Sequence, residues 1–179
     1  MPGVAINALP FGLRDVKLFP LDALGETPGA AVDLPASRTL SFSESEDFEE
    51  LRGDDIIQAS HGSGPVVDWS LEAGGISLDA YKIIAGGTVT TTGVTPSVVK
   101  TYAKQGTAAR PYFQIKGQVI SDSGGDVWAV IYKCKADGDL GGEFADGSFF
   151  LTSASGRGFP NAADKLYDFV QHETATAIT

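Results

Sequence analysis

The residues best suited to nucleophilic or metal chemistry are few in this chain. His61 and His172 are its only histidines and Cys134 is its only cysteine. His61, Ser63 and one of many acids suggest a Ser-His-Asp unit, but the order is not that of a G-x-S-x-G elbow and nothing fixes the geometry. Zinc requires three or four Cys or His ligands, and the chain has three such residues in total. We therefore expect no catalytic site, no metal site, no cofactor and no enzyme activity.

Carboxylates are far more numerous, and 11 of the 23 cluster in two segments that we expect to be loops. The candidate residues are Glu44, Glu46, Asp47, Glu49, Glu50, Asp54 and Asp55 in the first segment, and Asp137, Asp139, Glu143 and Asp146 in the second. Paired carboxylates can perform acid–base chemistry on a sugar, but acids crowded in loops are mostly hydrated. The start of a calcium loop, D-x-D, occurs at Asp137, but position twelve is Ser148 and the closing Glu is missing.

The charge of the chain is strongly negative and unevenly distributed. The net charge is −10, which argues against ordinary nucleic-acid binding, because that binding relies on Lys and Arg to neutralise phosphates. Residues 80–121 contain no acid and five bases: Lys82, Lys100, Lys104, Arg110 and Lys116. This basic block can pair with the acidic segments inside one subunit, or it can set register between copies. Both alternatives remain open from the sequence.

Alternating apolar and polar residues predict many short strands. Strands are expected at Leu13–Phe19, Arg38–Glu44, Val66–Ala73, Thr88–Thr92, Val98–Lys104, Tyr112–Ile120, Val127–Ala136, Phe149–Thr152 and Leu166–Gln171. The residues Ser121–Asp126 predict a hairpin turn, and the His61–Pro65 sequence HGSGP predicts another turn. On the strand over Val127–Ala136, strict alternation places Trp128, Val130, Tyr132 and Cys134 on one face.

One helix is expected, beginning after Ser77 and lasting roughly three turns before Gly86. Ser77 is a suitable N-cap because its hydroxyl can accept from a free amide of the first turn. Asp79 places negative charge near the positive end of the helix dipole, and Ile76 and Tyr81 have the spacing of a hydrophobic staple. The pair Gly86-Gly87 predicts the end of the helix.

The elements together predict a mainly β protein, with two antiparallel sheets packed as a sandwich or half-barrel and one flanking α-helix. A chain of 179 residues fits a single domain, 1–179. Three segments are expected outside the sheets: an extended N-terminal arm at about 1–12, a loop at 20–37 and a C-terminal tail at about 173–179, which should fray unless a neighbour holds it. No apolar run reaches the roughly 20 residues of a membrane span, and we expect no membrane partner.

Four stretches, taken together, resemble the major tail proteins of long-tailed bacteriophages, especially those of actinobacterial hosts. They are WSLEAGGISLDAYKIIAGG (69–87), RPYFQIKGQVISDSGGDVWAVIYKCKA (110–136), GEFADGSFFLTSASG (142–156) and LYDFVQHETATAI (166–178). The similarity covers most of residues 11–178. It is a pattern over many positions and assigns no role to any single residue.

This resemblance implies a tail tube fold, with two antiparallel sheets and a flanking helix. It also implies a structural virion protein that forms homo-hexameric rings stacked head to tail, with other tail proteins at the ends of the tube. DNA would pass through the tube without specific binding, and the protein would be made in the host cytoplasm. The long loop and the terminal arms would reach neighbouring rings. Part of the acidic set is then expected to face the lumen or the junction between rings.

Two other functions fit the sequence. The first is a different virion structural part, such as a tail terminator or a head decoration protein, which also builds rings or coats from β-rich subunits. The second is a carbohydrate-binding β-sandwich that uses Trp69, Trp128, Tyr81 and Tyr112 as a sugar platform. Both tryptophans lie on the apolar faces of their predicted strands, which favours a core role for them.

Overall fold

The computed structural model describes residues 8–53 and 56–179. Ten strands and one helix follow in the order β1 Pro10–Pro20, β2 Val32–Asp33, β3 Ser37–Gly53, β4 Ile56–Gly74, α1 Leu78–Ala85, β5 Thr88–Thr92, β6 Val99–Ala103, β7 Phe113–Ser121, β8 Asp126–Ala136, β9 Leu151–Phe159 and β10 Tyr167–His172. They form an eight-stranded and a two-stranded sheet, both antiparallel. The mainly β fold class with two antiparallel sheets and one helix is confirmed.

The large sheet has the strand order β2-β1-β7-β8-β9-β4-β3, and β10 adds to β8 beside β9. It curls so that its two halves face each other across the main core. The rings of Trp69 on β4 and Phe113 on β7 meet edge to face, with centroids 5.5 Å apart. Gly117 on β7 lies so close to Leu40 on β3 that a Cβ there would stand 2.4 Å from a Leu40 methyl carbon. The core is therefore enclosed by one folded sheet.

The buried side chains confirm the strand predictions for the body. Val16 and Leu18 on β1 are fully buried, as alternation predicts, and they pack with Ile115, Ile131 and other residues of both halves. The predicted strands at Thr88–Thr92, Val98–Lys104, Tyr112–Ile120 and Val127–Ala136 lie within about one residue of β5, β6, β7 and β8. The remaining predicted strands end at other residues than expected. Their ends depend on pairing with strands distant in the sequence, which local alternation of residues does not reveal.

The helix begins where its cap was predicted but is shorter than expected. Ser77 Oγ accepts from the amide of Ala80 at 3.3 Å, and α1 ends after eight residues at Ala85, about two turns. Gly86 has a φ of +76°, the conformation that favours glycine after a helix. The β5–β6 ribbon packs on α1, because Tyr102 Oη donates to the Gly86 carbonyl at 2.7 Å. The described part of the chain contains no helix long and apolar enough to cross a membrane.

Bulges explain two wrong predictions. The segment His61–Pro65 is part of β4 and not a turn: Gly64 and Pro65 lie opposite Glu46 alone, and Gly64 has a φ of +68°. A bulge tolerates Pro, which has no amide to donate to the ladder. A second bulge lies in β8, where Tyr132 and Lys133 lie opposite Gln114 of β7 alone, so that the side chains of β8 change faces there.

The bulge in β8 separates the side chains that strict alternation placed together. Trp128 packs with Phe19 and Ile178 in a small cluster on one face, whereas Cys134 belongs to the main core on the other. The prediction that Trp128, Val130, Tyr132 and Cys134 share a face is therefore wrong. An extra residue on one strand exchanges the two faces of everything beyond it.

The structure corrects some of the predictions for the segments outside the expected strands. Residues 1–7 of the expected N-terminal arm lie outside the described residues, and residues 10–12 belong to β1. The expected loop 20–37 contains the short strand β2, which pairs with β1, and its last residue, Ser37, begins β3. Residues 137–147 form a loop, as predicted. The strand expected at Phe149–Thr152 begins instead at Leu151 and continues to Phe159.

Candidate assembly surfaces

The β3–β4 hairpin extends well beyond the body of the protein. Strand β4 pairs with β9 only from Val67 to Gly74, whereas its pairing with β3 continues outward to Ile56 and Gly53. We call residues 46–53 and 56–65 the arm. At about 3.3 Å per residue, the eight residues on its β3 side span about 26 Å. Among the strands that the structure describes, those of the arm pair only with each other.

The acidic segment at 44–53 is therefore strand and not loop, which corrects the prediction from composition. Glu46, Asp47, Glu49 and Glu50 are all exposed on the arm. Their negative charges lie on a two-stranded ribbon that no third strand covers. Pairing with β4 overrides the low strand propensity of acidic residues, and sequence patterning does not detect that pairing.

Two of the acidic residues have defined partners. Glu50 forms an ion pair with Arg52 on the same face of β3, with the nearest atoms 2.7 Å apart. Glu44 lies at the base of the arm and accepts from the Tyr167 hydroxyl at 2.9 Å. That hydrogen bond to the neighbouring carboxylate raises the pKa of Tyr167. Asp54 and Asp55 lie outside the described residues.

The arm also exposes large apolar side chains between its charges. Phe48 is 65% exposed and Leu51 is 66% exposed, and Ile56 and Ile57 are exposed at its outer end. A two-stranded ribbon is at best marginally stable in water, and it offers free edges and an apolar surface to another chain. The arm is therefore suited to contacts with a partner.

The second acidic segment lies in the loop after β8, so the two acidic sets occupy different parts of the molecule. Asp137 and Asp68 both lie near the Arg157 guanidinium, at 3.3 Å and 3.4 Å. Asp139, Glu143 and Asp146 are exposed on the loop. The same loop region exposes apolar rings at Phe144 and Phe149.

The basic block makes one ion pair within the subunit in the described part of the chain. Lys100 on β6 contacts Asp79 of α1. Lys104 donates instead to the carbonyls of Ala85 and Ala108, and Arg110 donates to the carbonyl of Gly138 at 2.7 Å. Of the two alternatives for this block, pairing inside the subunit therefore accounts for a single carboxylate.

The C-terminal tail is held by the subunit itself, which sequence analysis missed. We call residues 173–179 the tail segment. Ile178 is only 2% exposed and packs against Phe19 and Trp128. The carbonyl of Ile178 accepts from Lys17 Nζ at 2.9 Å, and that of Thr179 accepts from Lys116 Nζ at 2.6 Å. The single isoleucine in a small polar sequence was the available signal.

A fully buried carboxylate, Asp126, fixes the start of this segment. Its oxygens accept from the Thr176 amide at 3.0 Å, from Trp128 Nε1 at 2.8 Å and from the Gln118 amide nitrogen. His172 Nδ1 lies 2.7 Å from Asp126 Oδ1. Burial alone would raise the pKa of Asp126, but these hydrogen bonds together lower the pKa below its ordinary value of 3.8.

The residues considered for chemistry lie apart. His61 is on the arm opposite Glu49, whereas His172 contacts Asp126. Cys134 is fully buried in the main core, and burial raises the pKa of its thiol. No group of three or more Cys, His, Asp or Glu placed to hold a metal ion occurs among residues 8–53 and 56–179.

The aromatic residues of the suggested sugar platform are also separated. Trp69 and Trp128 are both buried, and they belong to different clusters. Tyr112 is half-buried, and the amines of Lys133 and Lys135 lie about 5 Å from its ring. A sugar stacks on an exposed aromatic face, which neither indole offers.

Comparison with known proteins assigns no family. No family model matches the chain, and a search of curated proteins finds no match. Function is therefore argued from the sequence pattern and from the surfaces described above.

Proposed function

We propose that this protein is a structural component of a virion, whose copies stack as rings to form the tail tube of a long-tailed bacteriophage. The proposal includes hexameric rings, other tail proteins at the tube ends and free passage of DNA through the bore. It places the protein in the virion tail after assembly in the host cytoplasm. No catalytic role and no membrane partner are part of it.

The observation that carries the proposal is the arm. Its two strands expose Phe48, Leu51, Ile56 and Ile57 and pair with no third strand of the described chain. Burial of such side chains yields about 25 cal/mol per Å² of apolar surface, but only when a partner covers them. In the proposed tube the arm contacts a different surface of the next copy, which makes the contact heterologous, and repeated heterologous contacts build rings and filaments.

The charge of the arm supports the same function. Glu46, Asp47, Glu49 and Glu50 are exposed, and Glu50 pairs with Arg52. Carboxylates along a bore or at a ring junction repel the phosphates of DNA and reduce its adhesion. We propose that part of this set, together with acids of the loop after β8, faces the lumen or the junction between rings.

Electron microscopy of the purified full-length protein tests the proposal. Long tubes of constant diameter are expected at high protein concentration. Isolated rings would instead favour a tail terminator, and monomers that coat capsids would favour a decoration protein. Monomers that bind on a glycan array would support the carbohydrate-binding alternative and contradict the tube.

A matched pair of variants at exposed apolar residues makes the test specific for the arm. Leu51 on the arm and Val94 between β5 and β6 are both exposed, at 66% and 80%. Leu51→Ser should shorten or abolish the tubes, whereas Val94→Ser should leave them unchanged. Equal loss of tubes in both variants, or in neither, would contradict a role for the arm in assembly.

A further inference from the structure

The tail segment crosses the face of the sheet that is turned away from the main core. It passes β8 and β7 at Thr176 and reaches β1 at Ile178, where the side chain packs between Phe19 and Trp128. The surface below it is defined by residues of these three strands and of β10. We call this surface the tail groove: Lys17, Phe19, Lys116, Gln118, Asp126, Trp128 and Val170.

The groove holds the backbone of the segment through side chains. Gln118 Nε2 donates to the Thr176 carbonyl at 2.8 Å while Asp126 accepts from the Thr176 amide, so both polar groups of that peptide residue are paired. Further along the segment, Lys17 donates to the carbonyl of Ile178 and Lys116 donates to that of Thr179. Recognition of backbone atoms at fixed spacing is how a protein binds an extended peptide.

One side chain anchors the segment. Ile178 is buried, whereas Glu173, Thr174, Ala175, Thr176, Ala177 and Thr179 are exposed. The segment contains no helix or strand. A stretch held by one apolar anchor and a few hydrogen bonds is at the low end of local stability, and it opens without unfolding the core.

The groove is built on parts of the sheet that remain in place when the segment leaves. Asp126 is also bonded to Trp128 Nε1 and Gln118, which belong to β8 and β7. Gly125 in the β7–β8 turn leaves room for the start of the segment, because a Cβ there would stand 1.9 Å from the carbonyl oxygen of His172. Release of the segment therefore exposes a preformed site.

We infer that the tail groove is a peptide-binding site whose exchangeable occupant is the tail segment of a second copy of this chain. Its ligand class is an extended peptide with a β-branched apolar residue two positions after the residue paired by Gln118 and Asp126. Exchange of an identical segment replaces every contact with an equivalent one, which makes it a low-cost route to association. The inference does not depend on the proposed tube.

The test uses full-length Ile178→Asp, which places a carboxylate against Phe19 and Trp128 and so releases the segment. A fluorescently labelled peptide of residues 171–179 should bind this variant at least about ten times more tightly than the wild type, whose groove is filled from its own chain at high effective concentration. Thr174→Asp, at an exposed position, should behave as the wild type. The peptide carrying the same Ile178→Asp change should not bind.

If the Ile178→Asp protein is folded and does not bind the peptide, the inference that the tail groove is a peptide-binding site is wrong. If that variant does not fold, hydrogen exchange on the wild-type chain tests whether the segment leaves the groove. The Thr176 amide should then exchange much faster than the amides that pair β7 with β8. Equal protection would show that the segment does not leave.

A mixing experiment tests the second copy as occupant. Phe19→Asp blocks the groove and keeps a normal segment. When Leu51→Ser is added to both variants to weaken contacts through the arm, an equimolar mixture with Ile178→Asp should form heterodimers that neither protein forms alone. Peptide binding without heterodimers would restrict the site to its own chain and overturn the exchange. Peptide binding by a protein that never forms tubes would contradict the proposed function alone, and tubes without peptide binding would contradict the groove alone.

Discussion

The arm and the tail segment both lie at the periphery of the subunit, but they differ in how far the subunit buries their apolar side chains. The tail segment is small and polar, and its own chain buries Ile178 and pairs the backbone of Thr176. The arm carries larger apolar side chains, and Phe48 and Leu51 remain exposed. A peripheral segment with an anchor site on its own subunit buries its apolar side chain there, whereas a segment without such a site leaves its apolar side chains exposed to water. Mutations should therefore separate stability from assembly.

The largest expected effect on stability lies in the main core. Phe113→Ala removes a fully buried ring that meets Trp69, and we expect a loss of about 3–5 kcal/mol in the free energy of unfolding. Phe48→Ala on the arm should change it by less than about 0.5 kcal/mol, because an exposed ring loses little burial. Urea denaturation of both variants measures the difference. Similar losses would mean that the arm is packed on the body.

Asp126 should have the next largest effect, together with a defined pH dependence. Asp126→Asn removes a buried charge that accepts from Thr176 and Trp128, and we expect a loss of about 2 kcal/mol. The hydrogen bonds hold the pKa of the folded-state carboxyl below its ordinary value of 3.8. Its stabilisation is then fully present above about pH 4 and is lost as the pH falls through the lowered pKa.

Denaturation at several pH values checks this prediction. The difference between wild type and Asp126→Asn should shrink as the pH falls below about 4. A difference that grows as the pH falls would contradict the stabilised carboxylate. Glu49→Gln, at an exposed position on the arm, should change the free energy of unfolding by less than about 0.5 kcal/mol at neutral pH.

A loss of stability smaller than that of Asp126→Asn is expected at the N-cap of the helix. Ser77→Ala removes the side-chain acceptor for the Ala80 amide and should destabilise the protein by about 1 kcal/mol. Ser77→Thr keeps the hydroxyl and should recover most of that loss. Thermal unfolding measures both. An unchanged midpoint for Ser77→Ala would show that packing against the β5–β6 ribbon alone holds α1.

Local chemistry allowed much of the body to be predicted. The cap at Ser77, the hairpin at Ser121–Asp126 and the alternation at Val16 and Leu18 are set by neighbours in sequence. Patterning failed where a distant partner decides. Acidic residues at 46–50 become strand because β4 pairs with them, and the HGSGP motif becomes a bulge because β3 continues opposite it.

The candidate surfaces were only partly predictable for the same reason. Composition located the acidic residues, but only the structure shows that Glu46–Glu50 lie on an exposed ribbon and that Asp137 lies beside Arg157. Asp126 gave no signal, because an acid in a hairpin turn ordinarily faces water. Its role depends on Thr176, which is 50 residues away along the chain.

Sedimentation velocity over a range of protein concentrations tests the central claim most directly, with Leu51→Ser and Val94→Ser measured beside the wild type. The wild type and Val94→Ser should shift together from monomer to rings and longer polymers. Leu51→Ser should need at least about ten times more protein to do so, equivalent to about 1.4 kcal/mol per contact. A wild-type chain that stays monomeric at the highest concentration, or an arm variant that polymerises like the wild type, would contradict the account.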